Sequence, residues 1–174
     1  MVQDILIVDG YNMIGAWPNL RRLADENLLE DARDELISML ADYQGFSGMK
    51  VILVFDAHQV PGLGKRYRQS RLDIRYTKEK ETADECIERL VYEWLNRRTR
   101  IYVATSDNVE QHVIFGKGAL RLPARELFIA IEENRKEMRR KIKETEAKPR
   151  NSFESKLGDE LKMKLERWRR GETP

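Results

Sequence analysis

The sequence predicts an α/β protein with a mostly parallel sheet of at least four strands and helices on both faces. Three observations carry that prediction. Ile5–Val8 and Val51–Phe55 are short, continuous, β-rich apolar runs, as expected of parallel strands covered on both sides. Helical periodicities lie between the strand patterns. The resulting alternation, closed by right-handed crossovers, gives a parallel sheet wrapped by helices.

Taken in order, the first strand is Ile5–Val8, entered almost at the N-terminus. Leu36, Leu40 and Tyr43, with Ile37 and Met39 beside them, place an apolar stripe on a helix from about Glu30 to Gln44. The second strand is Val51–Phe55. Leu72–Tyr76 alternates apolar with polar residues and reads as a third, more exposed strand. Ile87, Leu90, Val91, Trp94 and Leu95 follow helical spacing on a helix starting near Thr82. RIYVA, Arg100–Ala104, is the fourth strand, and a short helix is expected after Ser106. From residue 123 to 148 one long, highly charged helix carries only Leu127, Ile131, Met138 and Ile142 as an apolar stripe. Pro149 to Ser152 break it, and a last amphipathic helix is expected from Phe153 to Arg170. Residues 1–122 thus read as the core and 123–174 as a helical extension of a single domain.

Composition narrows the function classes. The 174 residues are 41% hydrophobic and 36% charged, yet the formal net charge is only +2. Any nucleic-acid argument must therefore rest on local clustering of basic residues. The single cysteine, Cys86, excludes an internal disulfide framework and a cysteine zinc site. No apolar run reaches a membrane span, and the N-terminus lacks a signal-peptide pattern, so a cytoplasmic protein without a membrane partner is expected.

In open parallel sheets, ligands sit outside the carboxyl ends of the strands. Acids recur there. Asp9 follows strand one (DILIVDGYN), Asp56 follows strand two (VILVFDAH), and Asp107 follows strand four (YVATSD). Asp84 opens the helix between strands three and four. Each has a plain structural alternative. Thr82-Ala83-Asp84-Glu85 matches a capping box, Asp107 suits an ordinary helix start, and Asp56 suits a turn. Convergent carboxylates would nonetheless repel one another unless a cation neutralised them. Their hard oxygen donors favour Mg²⁺ or Mn²⁺ over zinc. Gly10 is expected to let the backbone turn sharply after Asp9, and Asn12 to orient water or phosphate. No Walker loop and no GxGxxG is present. Cys86, His58 and His112 read as packing or surface residues more readily than as catalytic ones.

DGYN, FDAH, ETADE and ATSD, in that order, resemble the NYN-domain ribonucleases, relatives of the PIN nucleases. VDGYNMIGAW and GALRLPARELFIAIE resemble the bacterial YacP-like group within them. The resemblance spans essentially the whole chain. It implies a PIN-like three-layer sandwich and metal-dependent endonucleolytic cleavage of RNA. By it, Asp9, Asp84 and Asp107 would hold the metal, Asp56 would stand near them, and Asn12 would support catalysis. It also implies a ribosome-associated substrate, messenger RNA in the A site, with no DNA expected.

An RNA path is suggested by VPGLGKRYRQS, residues 60–70, and the adjoining Arg71. Lys65, Arg66, Arg68, Arg71 and Arg75 would meet phosphates, and Tyr67 would stack on a base, with a solvated loop as the plain alternative. Lys117, between two glycines, is a further phosphate contact, with a plain turn as its alternative. The basic residues of the last two helices fit a ribosome contact or an exposed helix laced with i, i+4 pairs. A different class stays open: a non-catalytic ribosome- or RNA-binding adaptor on a PIN-like core.

Overall fold

The computed structural model describes residues 2–57, 67–69, 72–106 and 118–147, and the helical positions 163 and 167. Among them, six strands form one sheet in the order β3-β4-β2-β1-β5-β6. The strands are β1 (Gln3–Asp9), β2 (Lys50–Phe55), β3 (Tyr67–Gln69), β4 (Leu72–Tyr76), β5 (Thr99–Ala104) and β6 (Leu120–Leu122). Five are parallel, and β3 closes one edge antiparallel to β4. The helices are α1 (Gly10–Ala16), α2 (Pro18–Asp25), α3 (Leu29–Ser47), α4 (Ala83–Trp94) and α5 (Ala124–Ala147). This is the mostly parallel α/β architecture that the alternation of patterns predicts.

Period-two alternation along β1 builds the three layers. Leu6 and Val8 face one side, where they pack with α1, α2, α3 and the start of α5 through Met13, Leu20, Leu36, Leu40 and Leu127. Ile5 and Ile7 face the other, against Ile87, Leu90 and Val91 of α4. A strand buried on both faces must be apolar throughout, which is why ILIV is a continuous run.

Several elements depart from the sequence pattern. β4 is not the more exposed strand expected of its alternation. It lies between β3 and β2, and Leu72, Asp73 and Ile74 are all buried. Asp73 is tolerated there beside Arg75, whose Nη2 lies 3.4 Å from its carboxylate. The segment 10–25, read without elements from sequence, folds into α1 and α2, with Pro18 at the N-terminal end of α2 where its missing N–H costs nothing. Three-residue β3 and β6 carry too few residues for a period. The helix expected after Ser106, the break at 149–152 and most of the last helix lie outside the described residues.

The chain divides into two compact units, residues 1–135 and 136–174. In the first, Ala124, Leu127 and Ile131 of α5 join the core. The Trp17 indole, buried between α1 and α2, donates from Nε1 to the Ala124 carbonyl at 2.9 Å. Trp17→Phe removes that bond, while the carbonyl keeps its place in the first turn of α5, and should cost about 1 kcal/mol, read from the urea midpoint at constant m. A loss within error would mean the bond contributes nothing net. In the second unit, Lys141–Glu137 and Arg140–Glu144 pair one turn apart at 3.1 and 3.6 Å. Such pairs support an exposed helix by a few tenths of a kcal/mol each.

Candidate active site

The strand order reverses beside β1. Chain from β1 crosses through α1–α3 to β2 on one side, whereas chain from β4 crosses through α4 to β5 on the other. Ligands bind in the crevice such a reversal opens at the carboxyl ends of the strands. Val8 pairs with Ala104, so Asp9 and the residues after β5 lie side by side at that crevice.

Asp9 ends β1 and caps α1 at once. Its extended backbone and its carboxylate, which accepts from the Asn12 N–H at 3.2 Å, make it the N-cap, and only 8% of it is exposed. The chain does turn sharply after Asp9, from β1 into α1 with no residue between, and Gly10 serves that turn with ordinary helical backbone, not with a positive φ. Its role is space. A Cβ built there would lie 2.3 Å from Cε1 of Phe55, which is fully buried. Phe55 in turn packs between Tyr11, at 5.1 Å, and Tyr76, at 5.7 Å.

Asn12 joins the two strand ends. Its Oδ1 accepts from the Ser106 backbone N–H at 2.7 Å and from the Ser106 hydroxyl at 2.6 Å. The bond spans 94 positions and anchors the chain just before Asp107. Ser106 is thus a site residue that the sequence does not single out, although it lies within the ATSD motif. Asp56 lies one residue beyond β2, where Thr77 steadies the backbone by accepting from the Ala57 N–H at 2.9 Å. Burial holds the Tyr11 phenol above its usual pKa; Arg33, donating to it at 3.1 Å, opposes this, and the Asp56 carboxylate adds to it.

Asp84 is exposed in the first turn of α4, which leaves the carboxyl end of β4 and so starts from the same sheet edge. The capping box expected there forms in full. Thr82 Oγ1 accepts from the Glu85 N–H at 3.2 Å, and Glu85 accepts from the Thr82 N–H at 3.0 Å. The cap is therefore supplied by Thr82 and Glu85, not by Asp84.

Asp9, Asp56 and Asp84 are hard oxygen donors of the kind Mg²⁺ and Mn²⁺ take. They share an edge, but among the described residues no three acids are gathered closely enough to hold an ion. Asp107 lies outside those residues, as do His58, His112, Lys65, Arg66, Arg71 and Lys117. Tyr67 and Arg68 fall in β3, the antiparallel edge strand. Cys86 is buried against the sheet, and burial pushes its thiol up to about 11, so at neutral pH it is no nucleophile. No helix among the described residues is long and apolar enough to cross a membrane.

Comparison with known proteins places this geometry. The family model described as the YacP-like NYN domain matches residues 6–170. The protein YacP of Bacillus subtilis strain 168 is 49% identical over 170 residues, covering 97% of this chain and 98% of its own. The crystal structure of Rae1 (YacP) from Bacillus subtilis is similar at a TM-score of 0.76 and 48% identity, over 97% of this chain and 96% of that one. A variant of the same protein gives a TM-score of 0.75 and 47% identity, over 87% and 89%. Matched from its first strand into its C-terminal segment, the chain belongs to the YacP-like NYN domain family and has its nuclease-type fold.

Proposed function

We propose that the protein is a cytoplasmic, Mg²⁺- or Mn²⁺-dependent endoribonuclease acting on messenger RNA in the ribosomal A site. The observation that carries this reading is the setting of Asp9. A carboxylate is held at the end of the central strand, in the crevice where the strand order reverses, against a bond that ties down the approach to Asp107.

In this reading Asp9, Asp84 and Asp107 hold the ion, with Asp56 beside them. Once bound, it would activate water and neutralise charge gathering on the phosphate. The protein's own contribution is rigidity. Asp9 keeps its place because α1 needs it as a cap, and Asn12 keeps β1 and β5 in register at their ends. Lys65, Arg66, Tyr67, Arg68, Arg71 and Lys117 would lead the RNA to this edge by neutralising phosphates and stacking.

The non-catalytic adaptor is favoured by one observation: Asp9 already has a structural task as a cap. Two measurements separate the readings. Ribosomes translating a defined messenger are incubated with the protein, and new 5′ ends are mapped; discrete cuts within the A-site codon are expected. Calorimetric titration with Mn²⁺ should show saturable binding. Ribosome binding with neither cuts nor Mn²⁺ uptake would establish the adaptor.

A further inference from the structure

Beside the crevice lies a cavity of about 500 Å³, lined on one side by Thr105 and Ser106 and on the other by the start of α5. The volume is within the range of small-ligand sites, roughly 300–1,000 Å³. Its lining combines two chemistries. Of its two aromatic residues, with ring centroids 5.4 Å apart, Trp17 is buried and fixed by its bond to the Ala124 carbonyl, and Phe128 is half-buried and supplies the accessible ring. Pro18 and Pro123, stiff in backbone, complete the apolar part. Arg121 on β6 and Arg125 on α5 are exposed, and among the described residues neither has a carboxylate partner.

A largely apolar recess with one accessible aromatic ring and two exposed guanidinium groups suits one nucleotide: a base for the recess and its phosphates for the arginines. Ser106 belongs both to this wall and to the Asn12 bond, so an occupant would sit against the proposed catalytic edge. We propose that this cavity is a subsite for a single unpaired RNA nucleotide flanking the scissile bond, with Arg121 and Arg125 holding its phosphates. The inference rests on the ribonuclease reading and adds a binding site that the acids and the basic loop do not account for.

The test measures binding of a fluorescent single-stranded RNA of about 12 nucleotides to the full chain, between about 50 and 200 mM salt. The R121A/R125A variant alters only exposed side chains. It should bind about 10-fold more weakly at low salt, and its log–log salt slope should be shallower by about 1.4, two single-strand phosphate contacts at about 0.7 each. A16F enlarges an exposed residue of the lining and keeps both arginines. It should weaken RNA binding while leaving an abasic ribose-phosphate strand bound as before. Wild-type affinity and salt slope in R121A/R125A would overturn the subsite while leaving the ribonuclease reading intact, and so would equal loss of both strands in A16F. No RNA binding by the wild type at the lowest salt would overturn the RNA reading itself.

Discussion

On the proposed ribonuclease reading, Asp9→Asn is expected to abolish RNA cleavage and to leave stability unchanged. Both halves come from what the side chain does. Asparagine is as good an N-cap as aspartate, so the acceptor for the Asn12 N–H survives and α1 keeps its start. The lost negative charge is another matter, because an amide is a poor ligand for Mg²⁺ or Mn²⁺. Loss of a metal ligand removes several kcal/mol of charge stabilisation, so a rate reduction of about 10³-fold or more is expected. Mapped 5′ ends on translating ribosomes report the first half. A thermal melt reports the second, with a midpoint within about 2 °C of wild type. An Asn variant that cut at the normal rate would reduce Asp9 to a cap.

Gly10→Ala carries the largest expected stability change. The added methyl would stand 2.3 and 2.6 Å from Cε1 and Cδ1 of Phe55, well inside contact distance. Phe55 is fully buried, with Tyr11 and Tyr76 against it, so the ring has little room to move. Overpacking of this kind costs about 1–3 kcal/mol, and the upper end is expected where neighbours are rigid. Chemical denaturation should show it as a lower midpoint. Gly15, on the same helix, has nothing within 4 Å of an added methyl, and Gly15→Ala should stabilise by up to about 1 kcal/mol. Two glycines in one helix thus respond with opposite signs. Equal responses would show that the Phe55 contact is not what Gly10 serves. Phe55→Leu should recover part of the Gly10→Ala loss, as a coupling in a double-mutant cycle.

The sequence alone was sufficient wherever a signal is local. ILIV and VILVF are strands because a segment buried on both faces has no position for a polar side chain. The Thr82–Glu85 box starts α4 because its two hydrogen bonds are made between neighbours in sequence. The acids at strand ends were legible for the same reason, since their position is set by where the apolar run stops. What was not legible depends on partners far along the chain. β4 looked exposed because its alternation hides the strand that β3 adds outside it. The turn at Gly10 is legible locally, but the need for glycine there is not, because Phe55 is distant in sequence. Ser106 entered the site only through Asn12, and the arginines at the cavity only through β6 and the start of α5. Local chemistry determined the four longer strands and which of their ends carry charge. Only tertiary packing decided which ends meet, because a contact between distant positions leaves no period and no spacing in either segment.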